Sequence, residues 1–455
     1  MSKINPYIFR EYDIRGIVDK DLTDDVVYLL GKAYGTYLQR QGGKKASVGG
    51  DVRLSTERFR KALIKGITDS GCDVVNIGVV PTPAQYFSLY KLNVDGGIMI
   101  TGSHNPPEFN GFKMSVGMAS IYGGEIQKLK KIIEEEQFLS GEGKVDDYDI
   151  LPEYIEEIKN RIEIKNPVKV VIDCGNGAGS LVAERLMNAL GINAYFMYNE
   201  PDGRFPNHHP DPTVEEYIQD LKEQVLELKA DLGIAYDGDA DRIGVIDNKG
   251  NIVWGDKLLI LFARDALKEN PGQKIIFEVK CSQALPEAIK AAGGVPIMWK
   301  TGHSLLKKKM KETGATIAGE MSGHLFFADR YHGYDDAIYA SARLIELLSR
   351  EQKTIPELLA DVPKYYATPE IRLECPSDAE KFKIANAAAE YFKANHEVID
   401  VDGVRILFGD GWGLVRASNT QPVLVLRFEA RTPERLEEIK NSVIEKLKEF
   451  GQFQL

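Results

Sequence analysis

The chain has 455 residues, 43% of them hydrophobic and 27% charged, a balance typical of a globular protein long enough for several domains. A formal net charge of −11 argues against broad binding to nucleic acid or to an anionic membrane, so any anionic ligand must meet basic residues gathered locally. Cys72, Cys174, Cys281 and Cys375 lie far apart with no CxxC, which points away from a zinc site and a disulfide framework, and no run approaches the ~18 apolar residues of a bilayer span.

The N-terminus, MSKINPYIFREYDIRG, lacks the apolar segment of a secretory signal, so a cytoplasmic location is expected. From there, short apolar runs, glycine-bearing turns and amphipathic stretches alternate through most of the chain, a pattern that predicts α/β domains. The strand-then-loop units are KASVGGDVR (45–53), GGIMITGSHNPP (96–107), VKVVIDCGNGAGS (168–180), DLGIAYDGDADR (231–242), KIIFEVKCSQAL (274–285) and ATIAGEMSGH (315–324). Helical periodicity falls between them, as in ERFRKALIKGITDSG and YIQDLKEQVLELKAD. The last stretch reads strand, helix, two strands about a turn, strand, helix, and predicts a smaller α+β domain on a mostly antiparallel sheet. The charged segment 134–149, Trp254-Gly255-Asp256 and DVPKYYATPE mark the boundaries of four expected domains: 1–150, 151–255, 256–365 and 366–455.

Four motifs carry chemistry. The first is IMITGSHNPPEFNGFKMS, in which Ser103 lies just past a buried strand, where open α/β sheets bind ligands. Pro106 and Pro107 fix their own φ and keep the preceding residue out of the helical region, so the loop cannot run on as helix. The second is DGDADR, again at a strand end. Three alternating carboxylates, Asp237, Asp239 and Asp241, repel one another unless a cation neutralises them, and oxygen ligands select a hard divalent ion. Arg242 and Asn248 stand where a calcium-binding EF-hand needs glycine and glutamate, so magnesium is preferred, with coordination sites left for a phosphate oxygen.

The third motif, GEMSGH, offers Glu320 and Ser322 to sugar hydroxyls and His324 as an acid–base group or a satisfied loop histidine. Lys300-Thr301-Gly302-His303 has similar character. The fourth, RASNTQP, places Arg416, Ser418, Asn419 and Thr420 within five positions, a set able to surround one phosphate. Two rival features count for less. In DCGNGAGS, Ser180 occupies the third glycine of a dinucleotide loop, and no GxxxxGK[ST] phosphate loop exists. The adjacent His208 and His209 point apart in an extended chain, so a structural role is expected for them.

The four motifs, in this order and one per expected domain, resemble the α-D-phosphohexomutase superfamily, most nearly its bacterial phosphomannomutase/phosphoglucomutase branch. YDIRG (Tyr12 to Gly16) and PDGRFPNHHPDP (201–212) also resemble family signatures. The resemblance implies four domains around a central active-site cleft, with Ser103 as a phosphoserine whose phosphate completes a Mg²⁺ site held by Asp237, Asp239 and Asp241. It implies transfer from Ser103 to a hexose 1-phosphate, a hexose 1,6-bisphosphate intermediate that also serves as activator, and return of the other phosphate. Arg416, Ser418, Asn419 and Thr420 would hold the non-reacting phosphate, and Glu320 and Ser322 the ring hydroxyls. Gly302 and His303 would sense sugar orientation. Arg15, Lys113 and Arg242 would stabilise charge, with Lys113 or His324 moving the proton, and Tyr12 and His104 nearby.

Methionine after Glu320 fits mannose and glucose phosphates better than glucosamine phosphate. The alternatives are a phosphoglucosamine mutase, a non-catalytic sugar-phosphate binder and a DxDxD-type phosphatase. Small sugar phosphates are the expected partners, with neither nucleic acid nor membrane, and the amphipathic stretches present no distinct dimer face.

Overall fold

The computed structural model describes residues 4–418 and 422–454. The chain forms two compact units, Met1–Gly255 with Ser322–Leu358, and Asp256–Met321 with Leu359–Leu455. No helix among the described residues is long and apolar enough to cross a membrane.

Two sheets organise the first unit. In one, the strands run in the order Ile14–Ile17, Phe109–Val116, Gly96–Ile100, Lys45–Gly50, Asp73–Val79, Val145–Asp147. Gly96–Ile100 is buried at every position, as expected of a central strand covered on both faces. The helix Asp24–Arg40 begins at the Thr23 cap, with Asp24 and Asp25 in its first turn and Arg40 in its last, all three favourable to the helix dipole. It packs with Thr56–Asp69 over a core that includes Val27, Leu30, Phe59, Leu63 and Ile98. The second sheet has the order Ile252–Val253, Ile243–Asp247, Leu232–Tyr236, Val170–Asp173, Ala194–Met197. Its last three strands are parallel, and Ile243–Asp247 folds back antiparallel directly after DGDADR.

The charged segment expected to separate two domains contains a short edge strand, Val145–Asp147, that pairs with Asp73–Val79. All three residues are exposed, so the strand carries no apolar alternation by which to be recognised.

In the second unit, Val295–Trp299, Lys274–Glu278 and Ile317–Gly319 are parallel neighbours. The C-terminal strands pair antiparallel around Val423–Ala430, backed by helices Asp378–Asn395 and Pro433–Lys448. Ser377 and Thr432 cap these helices through their side chains, which explains where each begins. The expected segment 256–365 is divided between the two units after Met321.

Buried arginines tie the C-terminal sheet to the turn after Lys274–Glu278. Arg405 donates from Nη1 to the carbonyls of Val279 at 2.7 Å and Cys281 at 2.8 Å, and its Cζ lies 3.7 Å from the Trp412 ring centroid. Arg427 donates to the Lys280 carbonyl, while Glu429 accepts from Trp412 Nε1 at 2.9 Å and from the Gln283 N–H at 2.8 Å. Val279, Lys280 and Cys281 are buried, so loss of one arginine donor leaves carbonyls without water or protein. Replacing Arg405 by Met is expected to cost about 3 kcal/mol in urea unfolding. A loss below about 1 kcal/mol would show that the turn is held by packing instead.

Candidate active site

Strands Lys45–Gly50 and Gly96–Ile100 run parallel with Gly50 opposite Ile100, so Asp51 and Thr101 leave the sheet side by side. The Ser103 loop is built on that adjacency. The Gly102 N–H donates to Asp51 Oδ2 at 3.2 Å, and the Ser103 N–H donates to Thr101 Oγ1 at 2.8 Å. Ser103 is buried and has φ of +49°, in the left-handed region that residues other than glycine seldom occupy. Its hydroxyl donates to Asp237 Oδ2 at 3.0 Å and lies 3.2 Å from His104 Nδ1.

DGDADR closes a tight turn at the end of Leu232–Tyr236. The N–H groups of Asp241 and Arg242 donate to Asp237 Oδ1 at 3.1 and 3.0 Å, which curls the loop around its first carboxylate. Asp237, Asp239 and Asp241 are each 0% exposed, and each offers an oxygen within 4.8 Å of the others'. Gly238 separates two of them because nothing larger fits: a Cβ there would stand 2.4 Å from the Ser103 carbonyl oxygen.

Lys113, on the strand Phe109–Val116, donates to Asp239 Oδ2 at 2.7 Å and to Asp241 Oδ2 at 2.5 Å. Burial alone would lower its pKa, but the aspartates raise it, and the ammonium stays charged. Thr82 Oγ1 donates to the same Asp239 oxygen at 2.5 Å. Asp239 Oδ1 is buried without a hydrogen-bond partner among the described residues. Burial, then repulsion from Asp239 and Asp241, pushes the Asp237 carboxyl up. Burial would also raise Asp241, yet Lys113 and His324 hold it well below the usual carboxylate range. Three carboxylates around one ammonium, with an unpartnered oxygen among purely oxygen donors, fit a hard divalent cation.

Around this centre the first unit gathers several of the expected residues. His324 Nε2 lies 3.2 Å from Asp241 Oδ1 and 3.3 Å from Arg242 Nε, and the two residues form a backbone bridge. Arg15 Nη1 donates to Asn105 Oδ1 at 2.7 Å while its Nη2 pairs with Asp13, which brings its guanidinium to the Ser103 loop. Burial, then the guanidiniums of Arg242 and Arg15, drives the His104 pKa well below its ordinary value. Tyr12 is half-buried in the bend before Ile14–Ile17, and Ser322 is half-buried two residues before His324.

The second unit gathers a separate set. Glu320 Oε1 accepts the Gly302 N–H at 2.6 Å, and Gly302 has φ of +130°, a conformation open to glycine. His303 opens the helix His303–Thr313. Asp402 Oδ2 accepts the Thr301 N–H at 3.1 Å and lies 3.2 Å from Arg416 Nε, linking the Thr301-Gly302 loop to the strand that carries Arg416. The Ser418 carbonyl accepts from Lys381 Nζ at 2.8 Å. Asn419 and Thr420 lie outside the described residues.

Four models of phosphoglucomutase/phosphomannomutase domains match the chain. Alpha/beta/alpha domains I, II and III match residues 6–140, 152–250 and 254–366, and the C-terminal domain matches 370–446. The chain belongs to the phosphoglucomutase/phosphomannomutase family. Among its relatives in this family is the phosphomannomutase/phosphoglucomutase of Pseudomonas aeruginosa, 48% identical over 444 residues, covering 97% of this chain and 95% of the relative. The phosphoglucomutase of Neisseria meningitidis is 45% identical, over 97% of this chain and 96% of its own length. A crystal structure of a phosphoglucomutase/phosphomannomutase family protein from Burkholderia thailandensis is 42% identical and superposes with a TM-score of 0.93, covering 100% of both chains.

Several residues that contact these site groups carry no motif in the sequence. Thr82 opens a helix and carries no motif, although it touches Asp239. Lys280 is buried beside Glu278 and Glu370, at 3.8 and 3.1 Å, and stays charged against the cost of burial because of them. Its signal was a lone lysine just past an apolar strand. Asp402 sits in a turn whose sequence, IDVDG, reads as an ordinary polar loop.

His208 and His209 do face different partners. His208 Nε2 lies 2.8 Å from Asp173 Oδ2 and its Nδ1 lies 3.0 Å from the His209 carbonyl oxygen, while His209 Nε2 meets the His104 carbonyl. Acceptors face both nitrogens, an arrangement that favours the protonated ring. Burial opposes that charge, but Asp173 and the carbonyl raise the pKa above its ordinary value. Stability from this pair is full below the unfolded pKa, about 6.5, and fades as pH rises through the folded one. Urea unfolding should therefore show His208→Asn costing more at pH 6 than at pH 9. An equal cost at both would contradict the charged pair.

Proposed function

We propose that this family member is a phosphohexomutase that interconverts the 1-phosphates and 6-phosphates of mannose and glucose, with Ser103 as phosphoryl carrier. The observation that carries the reading is the Ser103 hydroxyl, buried and 3.0 Å from Asp237 in the three-aspartate cluster. Phosphoryl transfer needs little covalent help from a protein and depends on holding donor and acceptor in line while charge is neutralised. A hydroxyl fixed beside carboxylates is unsuited to that task alone, since its phosphate would be repelled. Asp237, Asp239, Asp241 and an oxygen on Ser103 would hold Mg²⁺, which would supply the neutralising charge.

The residues then divide the work. The free hydroxyl oxygen of a hexose 1-phosphate forms a bond to phosphorus as the bond from Ser103 Oγ breaks, and the hydroxyl proton passes to His324 rather than to Lys113, which the aspartates hold as a full ammonium without a lone pair. The product is the hexose 1,6-bisphosphate. Once it is bound in the opposite orientation, its other phosphoryl group returns to Ser103, and the isomeric monophosphate leaves. Arg15, Arg242 and Lys113 stabilise charge at the transferring group, with His104 and Tyr12 beside them. In the second unit we assign Arg416, Ser418, Asn419 and Thr420 to the non-reacting phosphate. Glu320, Gly302 and His303 there, and Ser322 in the first unit, are assigned to the sugar. Bisphosphate supplied in trace amounts serves as activator by phosphorylating Ser103.

The names of the relatives from Pseudomonas aeruginosa and Neisseria meningitidis support this substrate class. Phosphorus NMR with Mg²⁺, a trace of bisphosphate and one sugar 1-phosphate per tube is expected to show 6-phosphates from mannose and glucose, without free phosphate. Turnover of glucosamine phosphate alone would reassign the substrate, and growth of inorganic phosphate would indicate a phosphatase. Ser103→Ala should lower turnover by roughly a thousandfold or more while leaving sugar-phosphate affinity within about threefold. Chelation of divalent ions should stop wild-type turnover and added Mg²⁺ restore it; turnover unaffected by chelation would remove the metal from the reading.

A further inference from the structure

The prolines of the Ser103 loop create a difficulty that one buried side chain resolves. Pro106 and Pro107 have no N–H to donate, and the loop's own turns run from the Asn105 N–H to the Gly102 carbonyl at 2.9 Å and from the Phe109 N–H to the Pro106 carbonyl at 3.0 Å. The carbonyls of Ser103 and Asn105 are met from outside the loop. Arg53 supplies the donors: Nη2 donates to the Ser103 carbonyl at 2.8 Å and to that of Asn105, and Nη1 donates to the carbonyls of Pro106 at 2.6 Å and Phe109 at 2.9 Å. One planar guanidinium thus meets four carbonyls of the segment that carries Ser103.

Arg53 is itself fixed on every side. Its side chain is 0% exposed, and its Nε lies 3.2 Å from Asp51 Oδ2, the same oxygen that accepts the Gly102 N–H. Asp51 Oδ1 accepts the Arg53 N–H at 3.0 Å and the Thr56 hydroxyl at 2.8 Å. The Phe205 ring centroid lies 5.3 Å from the guanidinium carbon. A Cβ on Gly102 would stand 2.5 Å from that carbon, and one on Gly203 would stand 2.6 Å from the Arg53 Cα. Two glycines and an aromatic ring make room for this one cation. An apolar side chain would fill the same space without the cost of burying charge. What the guanidinium alone adds is a rigid fan of N–H donors.

We propose that Arg53 is a positioning residue for phosphoryl transfer, holding Ser103 in its left-handed conformation with Oγ at Asp237. The inference rests on Ser103 being the phosphoryl carrier. It gives the PDGRFP segment a purpose, since Gly203 and Phe205 form the back wall of Arg53. Lysine is charged and long, but its ammonium has three donors on a flexible stem and cannot serve four carbonyls at once.

The test compares wild type with Arg53→Lys in bisphosphate-primed turnover, with folding followed by circular dichroism and Ser103 phosphorylation by mass spectrometry. A misplaced donor affects the transfer step more than substrate binding. The expected result is a kcat lower by about tenfold or more, with KM for the hexose 1-phosphate within about threefold. A merely structural role would lower the melting temperature and leave kcat of the folded protein unchanged, and that result overturns the proposal. Should Arg53→Lys not fold, Phe205→Leu keeps an apolar contact and removes the ring, and is read the same way. A kcat loss of about threefold or more at constant KM supports the proposal, and an unchanged kcat overturns it. Wild type lacking phosphate on Ser103 would overturn the carrier assignment itself. Phosphorylated wild type with a fully active Arg53→Lys would overturn the positioning role alone.

Discussion

Asp237, Asp239 and Asp241 take three carboxylates out of water within a single turn of chain, and their mutual repulsion sets the terms for everything near them. Lys113 meets two of them from the neighbouring sheet's antiparallel strand, and His324 and Arg242 lie against the third side of the cluster. Burial and the two neighbouring aspartates push Asp237 up, whereas Lys113 and His324 hold Asp241 down. A divalent cation is the simplest way to complete such a set. The cluster is therefore a structural liability in isolation and a functional asset beside a phosphoryl group.

Rigidity on the donor side follows from the same chemistry. In the proposed mechanism, a reaction catalysed by positioning gains nothing from a phosphoserine that wanders, and the Ser103 loop is restrained from three directions. Parallel register sets Asp51 beside Thr101, Gly238 lets the aspartate loop approach the Ser103 carbonyl, and Arg53 gathers the carbonyls of the proline-bearing turn. The left-handed φ of Ser103 is sustained by these contacts, as strained residues at functional sites usually are.

Much of this was legible in the sequence because the motifs sit at strand ends. An apolar run closed by a glycine or an aspartate announces both the strand and the loop after it, and Ser103, the aspartate loop and Glu320 all stand in such loops. What escaped was of two kinds. Arg53 and Asp51 lie inside KASVGGDVR, but their place beside the Ser103 loop depends on Gly50 lying opposite Ile100, and register between distant strands is not written in either one. Thr82, Lys280 and Asp402 act through single side chains without a spacing signature, so only folding brings them to their partners. The short strand Val145–Asp147 was missed for a simpler reason: a fully exposed edge carries no hydrophobic alternation.

The central claim is that the phosphoryl group passes through Ser103, and a pulse–chase experiment tests it most directly. Protein labelled on Ser103 with radioactive phosphate is mixed with unlabelled mannose 1-phosphate and quenched at intervals shorter than one turnover. The account predicts that label leaves the protein at least as fast as kcat, appears first in the bisphosphate and then in the monophosphate pool, with none as inorganic phosphate. Label that stays on the protein while 6-phosphate accumulates, or that emerges as free phosphate, would contradict it.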